Sequence, residues 1–187
     1  MSFDGDTLIC NNPATVATFR RISKKWLRRL FLASVLLFAA FHLLNLLFPL
    51  PDHIEYSTII TDDEGEVVHA FLTRDEKWRM KTELHEISPL LRKTIIEKED
   101  RYFFYHPGIN PLAIGRALLK NIIRMKRTSG ASTITMQVAR LLEPKPRTWC
   151  NKCVEMFRAF QLEWKFSKSE ILQLYLNLVP YGGNIEG

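Results

Sequence analysis

Between Leu30 and Pro51 the chain carries no Asp, Glu, Lys or Arg, and this interval of 22 residues is as long as the roughly 20 that an α-helix needs to cross a bilayer. A segment of that kind fixes the architecture, because everything else must fold on one side of the membrane or the other. His42 and Asn45 dilute the apolar run slightly, and Pro49 and Pro51 mark its exit. Arg20, Arg21, Lys24, Lys25, Arg28 and Arg29 crowd the flank before it, whereas Asp52 and Glu55 follow. The basic flank predicts a cytoplasmic N-terminus. A cleaved signal peptide has a shorter apolar region and a small-residue cleavage site, so a span ending in Phe48-Pro49-Leu50-Pro51 reads as an uncleaved anchor. The expected organisation is a cytoplasmic segment 1–29, an anchor 30–51 and an exported domain 52–187.

A net charge of +6 could suggest nucleic acid as a partner, but the six basic residues ahead of the span equal the whole excess. The basicity is topological, and no nucleic acid is expected. With 187 residues, one compact domain beyond the anchor is the natural size. Cys10 falls on the cytoplasmic side of this topology, and Cys150 and Cys153 form a C-x-x-C pair on the exported side. No βαβ pattern surrounds that pair, so two small helix residues, bridged or free, are expected in place of a catalytic redox site.

Past the anchor, Tyr56–Thr61 and Glu66–Leu72 are β-prone runs around Asp62-Asp63-Glu64-Gly65, which is a hairpin signal. From Ser88 onward the pattern turns helical, with no long linker or internal repeat. Ser88 and Pro89 open a first helix as N-cap and first helical residue. Asn110-Pro111 opens a second, whose Ile114, Ala117, Leu118, Ile122 and Met125 recur at core spacing until Lys126-Arg127. After a Thr128-Ser129-Gly130 turn comes a capped helix from Ser132, ended by Pro144 and Pro146. Two more are expected around Lys152–Phe166 and Lys168–Leu178, the latter opened by the capping box Ser167-x-x-Glu170.

Two adjacent acids, Glu99 and Asp100, close the first of these helices beside the aromatic run Tyr102-Phe103-Phe104-Tyr105. Leu91, Ile95 and Glu99 are four apart and share a face, so Glu99 stands where the apolar stripe calls for a hydrophobe. Partial burial there would disfavour ionisation and suit the carboxylate to proton transfer. A capping or salt-bridged acid fits the same position.

A second constellation follows. Gly130-Ala131-Ser132-Thr133 at a helix start offers backbone donors and hydroxyls to an anion such as phosphate. Arg140, Lys145, Arg147 and Lys152 come soon after, and such cations stabilise charge developing on a phosphoryl leaving group. Read alone, each is more often a solvated surface charge. Glu155 shares a helical face with Ala159, Leu162 and Phe166, which makes it either a second functional acid or a partner for Lys152 or Arg158.

Taken in order, Glu99-Asp100-x-x-Phe103-x-x-His106-x-Gly108, Gly130-Ala131-Ser132-Thr133-Ile134-Thr135-Met136-Gln137, Lys152-x-x-Glu155 and Lys168-x-x-Ile171-Leu172-x-x-Tyr175-Leu176-Asn177 resemble the first four motifs of the peptidoglycan glycosyltransferases, glycosyltransferase family 51. The resemblance runs from about Tyr56 to the C-terminus, including Trp78-Arg79. Met136, where glutamine is commoner, Val138–Leu142 and Pro180–Gly187 are most similar to the 1C type of penicillin-binding protein.

The resemblance implies a mainly α, lysozyme-like catalytic domain with a small β-hairpin region, lying on the outer face of the bacterial cytoplasmic membrane. It implies lipid II and the growing glycan strand as substrates, the bilayer as support and other cell-wall synthesis proteins as partners. Glu99 would deprotonate the 4-hydroxyl of the acceptor N-acetylglucosamine, which attacks the anomeric carbon of the donor N-acetylmuramic acid and expels undecaprenyl diphosphate with inversion. Glu155 matches the second acid of the family, which supports the diphosphate or a divalent cation, magnesium or manganese, bound to it; no organic cofactor is implied. Asp100, His106, Ser132, Thr133, Gln137, Arg140, Arg147, Lys152 and Asn177 match substrate-site positions. Asn151 stands where the third motif usually has arginine. Because the chain stops just after the fourth motif, a fifth motif, the closing helices and any transpeptidase domain are expected to lie outside it. Two rival readings stay open: an anchored module that binds precursor or partners without turnover, and a lysozyme-like hydrolase. The cations between Arg140 and Lys152 argue against the hydrolase, which needs no lipid-diphosphate site.

The flanking charges generate the first prediction. Protease added to intact spheroplasts digests the domain beyond Asp52 and spares the first 29 residues. The opposite protection pattern would overturn the topology.

Overall fold

The computed structural model describes residues 13–51, 53–124 and 132–187. The run-out at Lys126-Arg127, the Thr128-Ser129-Gly130 turn, Gly130-Ala131, Met125 and Cys10 lie outside the described residues. The protein is mainly helical and divides into two units, Met1–Pro49 and Leu50–Gly187.

The first unit is one long helix, α1 (Pro13–Leu47), within which Lys24–Leu47, 24 residues, is long and apolar enough to span a membrane. The charge-free interval continues to Pro51, but the helix stops at Leu47. Pro49 explains the difference, since a proline disfavours helical backbone in the residue before it.

In the second unit, β1 (Ile59–Thr61) pairs antiparallel with β2 (Val67–Ala70), with Ile60 opposite His69. The Asp62 carboxylate shapes the connecting loop by accepting from the backbone N–H groups of Glu64 at 3.0 Å and Glu66 at 2.8 Å. Gly65 takes φ +87°, which a side chain would resist. A second sheet is one the sequence pattern missed. Its strands are β3 (Trp78–Arg79), β4 (Pro180–Gly182) and β5 (Ile185–Glu186), in the order β3-β5-β4, with β3 parallel to β5. Strands of two or three residues are too short to express a period-2 alternation.

Arg79 fastens that sheet. Its guanidinium donates to Glu186 Oε2 at 2.8 Å, to Asp75 Oδ2 at 2.9 Å and to the carbonyl of Glu55 at 2.8 Å. Desolvation works against the charge on this buried group, but Glu186 and Asp75 outweigh it and raise the arginine above its ordinary value. The hydroxyl of Thr73, and then Arg79, hold Asp75 below the usual carboxylate range.

The helices are α2 (Pro89–Glu99), α3 (Pro111–Arg124), α4 (Ile134–Leu142), α5 (Trp149–Lys165) and α6 (Lys168–Leu178), with a 3-10 turn at Phe103–Tyr105. Ser88 makes no side-chain cap, so α2 starts on Pro89 alone. The carboxamide of Asn110 caps α3 by accepting from Ala113 N–H at 2.9 Å. Helix α5 begins a turn earlier than its apolar pattern predicts, because Thr148 caps it through Asn151 N–H at 3.2 Å. The predicted Ser167–Glu170 capping box is complete on α6.

The core lies among α4, α5, α6 and the 3-10 turn, where Phe103, Ile134, Val138, Leu162, Ile171 and Leu176 are buried together. Helix α4 packs on both α5 and α6 and is buried along most of its length. Of the expected α3 stripe, Ala117 is buried and Ile114 only half-buried.

Gly108 lies where the loop after the 3-10 turn presses on α5. It has φ +81°, and a Cβ there would stand 2.9 Å from Glu163 Cγ and 3.0 Å from the carbonyl oxygen of Ala159. Gly108→Ala is therefore expected to destabilise the protein by at least about 1 kcal/mol, read as a lower denaturation midpoint of the full chain in detergent. An unchanged midpoint would mean that the loop relaxes freely.

Candidate active site

The partial burial expected of Glu99 is not found; the buried member of the acid pair at the end of α2 is Asp100. The side chain of Glu99 is exposed, whereas Asp100 is only 7% exposed. Helix α2 has no buried residue, so its stripe does not carry Glu99 into the core. After Glu99 the backbone leaves the helix, with φ −157° and ψ 75° at Asp100, and this turns the second acid inward.

There Asp100 builds the start of α4. Its Oδ2 accepts from Ile134 N–H at 3.1 Å, and both its oxygens lie 3.0 Å from His106 Nε2. A carboxylate at a helix N-terminus also meets the positive end of the helix dipole. Among the described residues, His106 Nδ1 is buried without a hydrogen-bond partner. The tautomer with hydrogen on Nε2 fits this geometry, since it donates to Asp100 and leaves only a lone pair stranded. Thr133, the N-cap of α4, accepts from Met136 N–H at 3.2 Å and donates to the carbonyl of Gly108 at 2.5 Å. Lys168 closes the same corner, donating to the His106 carbonyl and to Glu163, each at 2.7 Å, with its ammonium 4.5 Å from the centre of the Phe103 ring. Glu163 also accepts from the Thr135 hydroxyl at 2.6 Å.

Helix α4 so placed links two chemically different groups. Gln137 Nε2 donates to Glu99 Oε2 at 3.1 Å, which orients an exposed carboxylate. Just before the helix, Ser132 Oγ accepts from Lys152 Nζ at 2.6 Å, and the same ammonium donates to Glu155 Oε2 at 2.7 Å. The Glu99 carboxylate and the Lys152 ammonium are thereby joined through Ser132 and Gln137, at and within the first turn of a single helix. Arg140, half-buried on α4, and exposed Arg147 make no ion pair among the described residues, so both are available to an anion. Lys145 instead pairs with Glu143 at 2.8 Å, and Arg158 reaches Glu143 at 3.0 Å. Lys145, then Arg158, hold the Glu143 carboxyl below its usual range. Asn151 donates through Nδ2 to the Pro146 carbonyl at 2.8 Å and so stiffens the loop before α5.

Asn177 faces away from this chemistry. It is 1% exposed, and its amide donates to the carbonyl of Thr82 at 3.1 Å and accepts from Thr82 N–H at 3.3 Å, joining α6 to the segment after β3. Tyr175 is a site residue that apolar periodicity conceals. Burial, and then the charge of Glu99, push its phenol up to about 12, against the opposing pull of Arg140. It stays protonated at neutral pH. Its place in the Lys168–Asn177 motif was the signal available in the sequence.

A divalent cation would find one carboxylate here, that of Glu155, already engaged by Lys152. Among the described residues no three His, Cys, Asp or Glu side chains cluster as ligands. Magnesium is commonly held by one or two carboxylates together with substrate phosphates and water. Glu155 fits that mode, once released from Lys152, and does not form a cage by itself.

Comparison with known proteins matches the chain to a family. The Transglycosylase family profile matches residues 64–187. The chain is 41% identical over 156 residues to penicillin-binding protein 1C of Escherichia coli strain K12, covering 83% of this chain and 20% of that protein. It is 38% identical over 131 residues to penicillin-binding protein 1B of Haemophilus influenzae, covering 68% of this chain and 17% of that one. With penicillin-binding protein 1F of Bacillus subtilis strain 168 it shares 32% over 132 residues, 70% of this chain and 18% of the relative. The chain thus spans about a fifth of the length of these curated relatives.

The buried geometry of Asp100 predicts that Asp100→Ala costs about 1.5–3 kcal/mol of stability, the worth of a hydrogen bond to a charged group. Denaturant unfolding of the full chain measures it. An unchanged midpoint would free Asp100 from its structural role and return it to the substrate site.

Proposed function

The chain belongs to the transglycosylase family, and from that premise we propose that its second unit polymerises lipid II into glycan strands at the outer face of the cytoplasmic membrane, anchored by Lys24–Leu47. The observation that carries the reading is the linkage through α4 of an exposed, oriented carboxylate at Glu99 to a hydroxyl–ammonium–carboxylate row at Ser132, Lys152 and Glu155.

In this reading Glu99 takes the proton of the acceptor 4-hydroxyl as that oxygen attacks the anomeric carbon of the donor. The bond to undecaprenyl diphosphate breaks on the opposite face, with inversion. The sugar covers the exposed Glu99 and excludes solvent from it, and Gln137 keeps the carboxylate aimed. Lys152, Arg140 and Arg147 meet the charge that grows on the departing diphosphate. Glu155 holds the Lys152 ammonium and meets a divalent cation brought with the phosphates, if one is used. Asp100, His106 and Thr133 act through the position of α4, and Asn177 through its hold on Thr82. Hydrolysis of finished glycan would leave those cations without a task. The growing strand and cell-wall synthesis proteins are the partners this reading brings with it.

Two sets of variants test it. Glu99→Gln lowers polymerisation of lipid II in detergent by at least about 10²-fold, the usual worth of a general base. It leaves binding of a phosphoglycolipid inhibitor nearly unchanged. Arg140→Gln, Arg147→Gln and Lys152→Gln each weaken that binding by roughly tenfold to a hundredfold, as loss of a charge-assisted contact implies. Polymerisation by Glu99→Gln within a few-fold of wild type removes Glu99 from the mechanism, and three charge variants that bind like wild type remove the diphosphate site. Shortened glycan as the product would favour the hydrolase, and binding without product the non-catalytic module.

A further inference from the structure

Cys150 and Cys153 are the second and fifth residues of α5, and both are exposed with free thiols. No step of the proposed reaction uses them. The residues between them are Asn151, which fixes the preceding loop, and Lys152, whose ammonium holds Ser132 and Glu155.

On an α-helix, residues three apart place their Cα atoms about 5 Å from one another, from a 1.5 Å rise and a 2.3 Å radius. That lies inside the roughly 4.4–6.8 Å over which a disulfide closes. The corresponding Cβ atoms are about 5–6 Å apart on a regular helix, whereas a disulfide holds them at about 3.5–4.5 Å. Closure therefore has to draw the turn inward. A first turn can yield in this way, because its N–H groups have no intrahelical partners and it tightens readily toward 3-10 geometry. Here the turn is held by Thr148, which accepts from Asn151 N–H at 3.2 Å through its side chain and from Lys152 N–H at 3.0 Å through its carbonyl. Any tightening of residues 150–153 moves the backbone that carries Lys152.

We propose that Cys150 and Cys153 form a reversible dithiol–disulfide site, oxidised by a disulfide-class oxidant, whose closure tightens the first turn of α5 and shifts Lys152 against Ser132 and Glu155. One cysteine thiolate attacks the oxidant disulfide and expels the first of its thiolates, forming a mixed disulfide. The second cysteine attacks the protein sulfur of that bond and expels the other. Two protein thiols lose two electrons and two protons, and one oxidant disulfide becomes two thiols. The inference rests on the proposed placement of this unit outside the cytoplasm, where oxidants of this class operate.

The test uses the full chain with Cys10→Ser, in detergent micelles, equilibrated with mixtures of reduced and oxidised glutathione, acid-quenched and alkylated. Peptide mass spectrometry is expected to show both thiols disappearing together, with loss of two hydrogens from the peptide that contains them and recovery on reduction. In Cys153→Ser, Cys150 is expected to stop at a glutathione adduct. Two cysteines that stay alkylatable at every ratio, or that collect separate glutathione adducts in the unsubstituted pair, overturn the site. Acetylation of Lys152 is expected to proceed at different rates in the reduced and oxidised protein and at one rate in the Cys150→Ser/Cys153→Ser double variant, which can form neither the bridge nor an adduct. Equal rates in both states of the intact pair overturn the coupling. Neither readout needs lipid substrate, so failure here leaves the glycosyltransferase reading standing, and an enzyme without polymerising activity leaves the cysteine pair fully testable.

Discussion

The functional geometry depends on one buried carboxylate. Asp100 receives Ile134 N–H and faces His106 Nε2, so one side chain joins the end of α2, the 3-10 turn and the start of α4. A charge is expensive to bury unless its lone pairs are occupied, and here a backbone donor, an imidazole and the helix dipole occupy them. Thr133 and Lys168 brace the same junction from the Gly108 and His106 carbonyls. Ser132 precedes α4 and Gln137 lies on it, so the direction set at Asp100 determines where base and cation stand.

The ends of the second unit are held by a different device. Arg79 binds Glu186 and Asp75 from the β3 strand, and β5 lies parallel to β3, so the segment after α6 returns to the segment after the hairpin. Asn177, the next-to-last residue of α6, repeats the join through both ends of its amide. A buried amide with both functions satisfied specifies register in a way that an apolar contact cannot, because a shift of one residue would strand a donor and an acceptor together. These contacts position the fourth-motif helix, and with it Tyr175, against Glu99.

What could be read from the sequence was what depends on neighbours along the chain. The Ser167–Glu170 capping box and the Asp62–Gly65 turn both have partners within a few residues, and the structure has them. Ser88 failed as a cap although its residue type was right, because side-chain geometry decides whether a cap bond forms. Burial of the acid pair was assigned to the wrong member. Helical spacing put Glu99 on an apolar face, but α2 ends there, and periodicity says nothing about the turn that follows. Strands β3 and β5, and the bond of Asn177 to Thr82, join residues about a hundred positions apart, and no local pattern encodes such a partner. The order of the family motifs survives these misreadings, since it records which residues are present and not which way they face.

The division of labour between the adjacent acids follows from what each must do. A structural carboxylate is most useful where water cannot compete for its lone pairs, and Asp100 is there. A carboxylate that must accept a proton from a substrate has to be reachable, and one sealed in the core could touch no sugar. Glu99 is therefore held by one amide donor and otherwise open. Tyr175 beside it is buried and stays neutral, so the phenol adds no negative charge next to Glu99. In the proposed reaction the acceptor sugar itself excludes solvent from Glu99, so that binding of the acceptor and activation of its hydroxyl are a single event. On that logic the protein need only fix directions, through α4, and the substrate completes the enclosure.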